Sequence, residues 1–191
     1  LGVLLYLTRK NVMGKILAFA SIAAISIPAF YLATSFIDVV AVRWNLISVS
    51  GNTGLMRYLP AALCLAVGGI AFFGQMLSKA IQQAMSEDSV LYARCRGLSD
   101  PYIVVRYAMP QAIISTVPTF MQMMGMCMAG SAIVSNIFSL PGLGYRIVNS
   151  LTNRDLPVIY ATVLFLAFAL VIFNILADII QRLLQTRKGG L

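Results

Sequence analysis

The stretch "LPVIYATVLFLAFALVIFNILA", residues 156–177, runs for 22 residues without a charged side chain. About 20 consecutive apolar residues are enough to cross the roughly 30 Å hydrocarbon layer of a bilayer as an α-helix. Asp155 stands directly before Leu156 and Pro157, where a short carboxylate can cap the first turn of such a helix. This stretch therefore predicts a membrane-spanning helix that begins after Asp155.

Three further stretches of similar length and hydropathy occur in the chain. A window of about 19 residues places them at 16–37, at 58–77 and within the uncharged region between Arg106 and Arg146. The chain is 60% hydrophobic and 10% charged, which is too apolar for a single soluble core of 191 residues. Pro28, Pro60, Pro110 and Pro118 fall at or inside these spans, as membrane helices tolerate. A buried soluble helix explains any one span but not four in succession, so we predict an all-α, polytopic membrane bundle.

The basic residues are distributed unevenly between the two sides of these spans. Ten fall on the side that holds the N-terminus, the loop between the second and third spans, and the C-terminus: Arg9, Lys10, Lys15, Lys79, Arg94, Arg96, Arg106, Arg182, Arg187 and Lys188. The other side has four: Arg43, Arg57, Arg146 and Arg154. Because loops rich in Lys and Arg stay in the cytoplasm, the side with ten is predicted to be cytoplasmic.

The composition disfavours several kinds of chemistry. A net charge of +8 could indicate nucleic-acid binding, but the basic residues are scattered in short loops, which fits a membrane surface better. The chain has no histidine, and Cys64, Cys95 and Cys127 are too far apart to indicate a disulfide framework or a zinc site. We therefore expect no catalytic residue, no metal site and no cofactor in this chain.

The chain opens with "LGVLLYLTRKN", residues 1–11, which has neither an initiator Met nor the features of a signal peptide. This opening is typical of the end of an apolar helix followed by basic residues. We therefore expect an N-terminal part to precede it and treat 1–191 as one incomplete transmembrane domain.

The predicted cytoplasmic loop, residues 86–108, is long and charged for a connector. Possible N-caps at its start are Ser86, Asp88 and Ser89. Gly97 suits the left-handed conformation that ends a helix, and Asp100 followed by Pro101 favours the start of a second helix. Pro110 would mark the beginning of the third span. Two short helices joined by a sharp turn suit docking to another protein; an amphipathic connector on the lipid headgroups is the competing interpretation.

Ala93, Gly97 four residues later and Pro110 thirteen residues after that have the spacing of the EAA loop of ATP-binding-cassette importer permeases. More narrowly, "DSVLYARCRGLSDPYIVVRYAMPQA" resembles the version found in the dipeptide/oligopeptide/nickel permease family. The resemblance continues through "IPAFYLA", "ISVSG", "YLPAALCLA" and "NIFSLPGLGYRIVNSLTNRDLPV", in the same order along nearly the whole chain. It implies a type I importer permease fold of six helices, of which the first and most of the second would precede this sequence.

The resemblance also implies partners. In the family this loop is a coupling helix seated in a groove of an ATPase subunit, where it passes on ATPase closure as rigid-body motion. The residues that the resemblance assigns to docking are Tyr92, Ala93, Arg94, Arg96, Gly97, Leu98, Ser99, Asp100 and Pro101. Small Ala93 would permit close approach, and the arginines would meet acids or carbonyl groups of the partner. Two ATPase subunits that bind ATP and Mg, a homologous second permease and an extracytoplasmic solute-binding protein would complete the assembly in the bacterial inner membrane.

The segment "SLPGLGY", residues 139–145, supplies two glycines for a tight extracytoplasmic turn, which lies near the outer mouth of the pathway in the related permeases. The residues predicted to shape turns are Pro110, Pro141, Gly142, Gly144 and Asp155. The sequence also departs from the family pattern: Leu91 and Tyr92 replace Glu and Ala, Ser135 replaces a common Glu, and "QTR" at 185–187 replaces Asp-Pro-Arg. Peptides, nickel and metal chelates all remain open as cargo.

Three other motifs have two interpretations each. "GIAFFGQM" from Gly69 and "GMCMAGSA" from Gly125 have the glycine spacing of a phosphate loop but lack its Lys and lie in spans, which favours close helix packing. Met121, Met124 and Met128 recur at helical spacing, which favours adaptable packing over a path for a soft metal. Asp178 is either a functional intramembrane acid or the partner of a basic residue one turn on.

Two alternatives come from other classes of protein. A secondary transporter or channel without an ATPase partner would carry pathway charges in its spans, and these carry almost none. A membrane-embedded enzyme is disfavoured by the missing histidine and the lack of clustered carboxylates. An importer permease subunit is the interpretation that we test below.

Overall fold

The computed structural model describes residues 1–9, 11–44 and 54–186, and no strand occurs within these ranges, which confirms the all-α fold class. The α-helices are α1 (Gly2–Thr8), α2 (Val12–Ser26), α3 (Ala29–Phe36), α4 (Leu59–Ala84), α5 (Asp88–Cys95), α6 (Asp100–Ile103), α7 (Met109–Ile137), α8 (Leu143–Asn153) and α9 (Leu156–Thr186). Two π-helical segments, Ile37–Arg43 and Val104–Ala108, and a 3-10 turn, Gly54–Arg57, complete the elements. Lys10, Arg187, Lys188 and the "ISVSG" stretch at 47–51 lie outside the described residues.

The chain divides into two compact units. The first comprises residues 1–23, 70–122 and 173–191, and the second comprises residues 24–69 and 123–172. Seven of the ten basic residues that we predicted to be cytoplasmic are described by the structure, and all seven belong to the first unit, whereas the four predicted to lie outside belong to the second. The folded chain therefore groups its basic residues as the positive-inside rule does, which supports a cytoplasmic surface on the first unit.

Two helices are long and apolar enough to cross a membrane without interruption, namely α4 and the segment Leu156–Leu183 of α9. They contain almost all of the second and all of the fourth predicted spans. Two bent pairs of helices bring the number of spans to four if each pair counts as one crossing. The chain is therefore a multi-pass membrane protein in which the membrane helices are not all straight.

The first predicted span, 16–37, is not a single straight helix. Helices α2 and α3 meet at a bend of 90°. Pro28, which stands at this bend with φ −61° and ψ 138°, has no N–H to continue the hydrogen bonds of α2. The expectation of a single helix across the bilayer is wrong here, because averaged hydropathy carries no information about the direction of a helix axis.

The third predicted span begins earlier than Pro110. The backbone is helical from Asp100 to Ile137, through the π segment Val104–Ala108 and into α7, with a bend of 41° in its last third. The Met109 N–H donates to the carbonyl group of the first residue of the π segment. A wide turn at this place relieves the clash between a proline ring and the preceding turn of a regular helix. The prediction that Pro110 separates loop from span is therefore wrong, since the proline lies inside a continuous helix.

Each unit has an apolar core of its own, in which alanines are prominent. The core of the first unit contains Tyr6, Ile81, Ala84, Val104, Ala108 and Ala112. The core of the second contains Ala33, Ala61, Cys64, Val134, Phe138 and Leu140. Small side chains let membrane helices approach closely, whereas the large Leu164, Phe165 and Phe168 of α9 are exposed, as a surface facing lipid or another helix requires.

The first glycine of each phosphate-loop-like stretch lies inside a helix and against a neighbouring side chain. A Cβ on Gly125 would lie 3.1 Å from Leu170 Cγ, and one on Gly69 would lie 3.4 Å from Met123 Cε. A glycine at such a position lets two helices pack closely. The packing interpretation is confirmed for Gly69 and Gly125, whereas nothing lies within 4 Å of a Cβ position at Gly130.

Candidate functional site

Helix α5 begins at Asp88, and its start differs from the prediction. The N-cap is Glu87, which has extended backbone (φ −81°, ψ 154°) and makes no capping hydrogen bond with its side chain. The Ser86 hydroxyl instead donates to the Gln82 carbonyl oxygen at 3.3 Å, back along α4. The predicted caps at Ser86, Asp88 and Ser89 are therefore wrong. Asp88 still places a negative charge in the first turn, where the helix dipole favours it.

The end of α5 is a Schellman motif centred on Gly97. Gly97 has φ +75°, and its N–H donates to the Arg94 carbonyl oxygen at 2.9 Å. The Leu98 N–H donates to the Ala93 carbonyl oxygen at 3.3 Å, which completes the pair of hydrogen bonds that defines this cap. The predicted left-handed glycine is confirmed, and its turn sends the chain from α5 directly into α6.

Helix α6 starts one residue earlier than predicted, because Asp100 was expected to be the N-cap and is instead the first helical residue. Ser99 is the N-cap, with φ −69° and ψ 146°, and Asp100 and Pro101 occupy the first turn. The Asp100 carboxylate is therefore free of the capping role and pairs with Arg94, whose Nη2 lies 3.3 Å from Asp100 Oδ1. More than half of each of these side chains is exposed, so the pair contributes little stability and leaves both groups open to a partner.

The two helices of the loop are held together by a small core of their own. Val90, Ala93 and Ile103 are all buried to at least 98%, and Met85, Leu98 and Tyr107 pack against them. Ala93 is only 2% exposed, so its small side chain serves the close contact of α5 with the following helix. The expectation that Ala93 gives a partner close access is wrong, because the residue faces inward.

The outer face of the loop carries large apolar side chains. Leu91 is 59% exposed and Tyr92 is 73% exposed, and Tyr102 and Val105 are also more than half exposed. Of the predicted docking residues, Tyr92, Arg94, Arg96, Gly97, Ser99, Asp100 and Pro101 are exposed, Leu98 is half-buried and Ala93 is buried. Leu91, Tyr102 and Val105 were not predicted to dock. The sequence did contain a signal for these three, because they are apolar residues inside a charged loop that we assigned to the cytoplasm.

The predicted outer turn, between α7 and α8, differs from the expected double-glycine turn. The left-handed residue is Ser139, with φ 50°, whereas Gly142 has φ 171°, an extended conformation that any residue adopts. Gly144 is buried in the first turn of α8, where a Cβ would overlap Ala132 Cα and lie 2.6 Å from Ser135 Oγ. Gly144 therefore serves close helix packing, and its assignment to the turn is wrong.

Three hydrogen bonds fix the ends of this outer segment. Arg57 Nη2 donates to the Ser139 carbonyl oxygen at 2.7 Å, and the Leu140 N–H, just before Pro141, donates to the Ser135 carbonyl oxygen at 2.8 Å. At the far end the Val158 N–H donates to Asp155 Oδ1 at 3.4 Å. The predicted cap of the last span by Asp155 is confirmed.

The described residues offer no ready-made metal centre. Within the ranges that the structure describes, no three His, Cys, Asp or Glu side chains lie together as metal ligands would. Met121 and Met128 are half-buried and Met124 is exposed, so these thioethers do not share one environment. A soft-metal path along α7 remains a hypothesis, and packing is the simpler role.

Comparison with known proteins agrees with these features. A family model described as "Binding-protein-dependent transport system inner membrane component" matches residues 1–190. The nickel import system permease protein NikB of Staphylococcus aureus, strain bovine RF122 / ET3-1, is 27% identical over 188 residues, which are 98% of this chain and 56% of the relative. The protein of the same name from strain USA300 is 28% identical over 174 residues, which are 91% of this chain and 52% of the relative. The chain thus spans about half the length of the curated relatives that it matches.

The family match extends from the apolar opening through the loop and the outer turn to the end of α9. The same chain has the multi-pass helices, the uneven basic charge and the preformed helix–turn–helix loop described above. The chain therefore belongs to the family of inner membrane components of binding-protein-dependent transport systems.

Proposed function

We propose that the chain is the transmembrane permease subunit of an ATP-driven importer in a bacterial inner membrane, and that loop 86–108 docks on a separate ATPase subunit. Its other partners are a homologous second permease, a second ATPase subunit and an extracytoplasmic solute-binding protein. ATP and Mg belong to the ATPase subunits in this proposal. In this proposal the chain binds its partner subunits and changes conformation with them, and it has no catalytic residue of its own.

The observation that carries the proposal is the loop's combination of an internal core with an exposed apolar face. Val90, Ala93 and Ile103 fold the loop on itself, so Leu91 and Tyr92 are presented outward on a fixed support. Exposed aromatic and aliphatic side chains on a rigid support are typical anchors of protein interfaces. The exposed Arg94, Arg96 and Asp100 of the same loop supply charged groups of the kind that form the polar rim of an interface.

The competing interpretation, a connector lying on lipid headgroups, needs an amphipathic helix with its apolar face toward the acyl chains. Helix α5 has eight residues, and its buried side chains contact the loop's own core. The remaining exposed apolar pair, Leu91 and Tyr92, is flanked by the charged Asp88 and Arg94. This small, charge-bordered patch fits a protein groove better than a bilayer surface.

The cargo that we propose is nickel, as the free ion or as a chelate, because the curated relatives described above are named nickel import permeases. Peptides are the second candidate, from the resemblance to peptide permeases. The described residues hold no cluster of metal ligands, so this part of the chain would pass its cargo on without coordinating it tightly. A chelate, which brings its own ligands, fits such a chain better than a bare ion.

Docking is tested by co-purification of the ATPase with variants of the exposed pair. Leu91→Ala and Tyr92→Ala remove the anchors and are expected to weaken ATPase binding by roughly tenfold or more, as truncation of an interface hot spot does. Tyr160→Ala is the matched control, since Tyr160 is 63% exposed but lies on α9. Full recovery of the ATPase with both loop variants would contradict the docking role, and uptake without any ATPase would favour a secondary transporter or channel.

A further inference from the structure

A basic cleft of about 210 Å³ lies in the first unit, among helices α1, α2 and α4. Three cationic side chains line it, those of Arg9, Lys15 and Lys79. The other lining residues are Leu5, Gly14, Ala18, Gln75 and Ser78. None of the lining residues is acidic, so the cleft combines three positive charges with an amide and a hydroxyl that can donate hydrogen bonds.

A tight turn between α1 and α2 brings two of these cations to the same cleft. The Asn11 N–H donates to the Thr8 carbonyl oxygen at 2.8 Å, and the Gly14 N–H donates to the Asn11 carbonyl oxygen at 3.0 Å. A Cβ on Gly14 would overlap the Thr8 carbonyl group. Glycine at this position is therefore needed for the turn that places Arg9 and Lys15 together.

One face of helix α4 forms the opposite wall of the cleft. Gln75, Ser78 and Lys79 stand three and four residues apart, the spacing that puts side chains on the same side of a helix. Gln75 Nε2 donates to the Ser21 hydroxyl oxygen at 3.2 Å and so ties α4 to α2. A Cβ on Gly2 would lie 2.9 Å from the Gly74 carbonyl oxygen, so α1 also packs closely on α4. The cleft is thus a fixed feature of three packed helices.

The positive charges in the cleft are not neutralised by the described part of the chain. Neither Lys15 nor Lys79 forms an ion pair there, and Arg9 lies over the Tyr6 ring, 4.4 Å from its centroid, a contact that leaves its charge in place. An anion placed among three such cations gains from each of them. Basic residues at a cytoplasmic membrane boundary also meet the negative surface potential of that leaflet.

We propose that this cleft binds a phosphate group, supplied by the headgroup of an anionic phospholipid or by free phosphate in the cytoplasm. Arg9, Lys15 and Lys79 supply the charge, and Ser78 and Gln75 supply additional donors. Cationic side chains with N–H and O–H donors are the usual partners of phosphate oxygens. The site is independent of the proposed cargo and of ATPase docking, and would tie the protein to the lipid composition or the phosphate content of its surroundings.

The test is a binding titration of the full-length protein in neutral detergent, followed by native mass spectrometry. Phosphatidylglycerol and phosphatidylcholine are titrated in separate arms, and sodium phosphate in a third. Wild type is expected to bind its first phosphatidylglycerol at least tenfold more tightly than phosphatidylcholine. Each cation removed is expected to weaken this binding by roughly fivefold, so Lys79→Gln gives fivefold and the triple Gln variant of all three cations far more.

Arg106→Gln is the matched control, since it removes one exposed cytoplasmic charge that does not line the cleft. It is expected to change the first binding step by less than twofold, and Lys79→Arg is expected to bind as wild type does. If inorganic phosphate binds with the same dependence on Lys79 and displaces the lipid, the ligand is free phosphate. Equal losses of binding affinity in Lys79→Gln and Arg106→Gln would overturn the site. Unchanged binding of both the lipid and inorganic phosphate in Lys79→Gln would overturn it as well. These single variants are sufficient for the test even if the triple variant does not fold.

Discussion

Gly144 of α8 lies so close to Ala132 of α7 that a single added Cβ would overlap the Ala132 Cα atom. The neighbouring atoms that would have to move belong to the backbone of α7 and to the Ser135 side chain. The outer helix α8 is thus packed on α7 through a contact that only glycine permits.

Gly144→Ala is expected to lower the free energy of unfolding by about 1–3 kcal/mol, because the two helices must separate to admit the methyl group. Gly142→Ala is the matched control, since nothing lies within 4 Å of its Cβ position and its backbone is extended. Thermal unfolding in detergent measures both variants. Equal melting temperatures for the two would contradict the close contact between α7 and α8.

Gly97→Val is expected to impair coupling without preventing membrane insertion. Nothing lies within 4 Å of the Cβ position at Gly97, so the penalty comes from the left-handed backbone alone and is about 1 kcal/mol or more for a β-branched residue. Gly97→Asn should be milder, since Asn tolerates this conformation. Substrate-stimulated ATPase activity of the assembled transporter is the measurement, and an unchanged rate for Gly97→Val would count against a role for the turn.

Cysteine labelling tests the orientation. In a background in which Cys64, Cys95 and Cys127 are replaced, a cysteine at Ser99 should react with an impermeant thiol reagent only from the cytoplasmic side. One at Asn149 should react only from the outside. Both positions are exposed in the structure, so lack of access within this chain would not explain a negative result. The reverse pattern would overturn the assignment of loop 86–108 to the cytoplasm.

Replacing Met121, Met124 and Met128 together by Leu separates packing from metal conduction. Leu preserves volume and apolarity, at a cost of less than about 1.5 kcal/mol per site, but it has no sulfur lone pair to offer a metal. We expect nickel uptake, normalised to assembled complex, to survive with modest loss. Collapse of uptake with intact ATPase activity would show that the thioethers pass the metal along.

The features that the sequence predicted correctly depend on local backbone chemistry. Gly97 at the end of α5 and Asp155 before α9 each act within one turn of their own position, so their residue types and neighbours are sufficient. The second and fourth apolar spans were also detectable, because each satisfies the bilayer's length requirement by itself. The role of a residue within its own segment could therefore be predicted from the sequence alone.

The features that the sequence missed depend on contacts between segments. Ala93 was expected to face a partner, but Ile103, ten residues later, covers it. Gly144 looked like a turn residue because its contact with Ala132 is twelve residues distant along the chain. The bend at Pro28 was missed for a different reason, since averaged hydropathy does not report the direction of a helix axis. For small residues such as Ala and Gly in particular, the sequence does not indicate which neighbouring segment packs against them.

The unbroken helix that leads from α6 through Pro110 into α7 has a mechanical consequence. From Asp100 to Gln122 the backbone is helical without a break and about 34 Å long, at about 1.5 Å per residue. If the loop docks on an ATPase as proposed, a rotation applied near Tyr102 would pass along this helix into α7. The loop is therefore one end of a continuous helix, and the hydrogen bonds between successive turns hold that helix together.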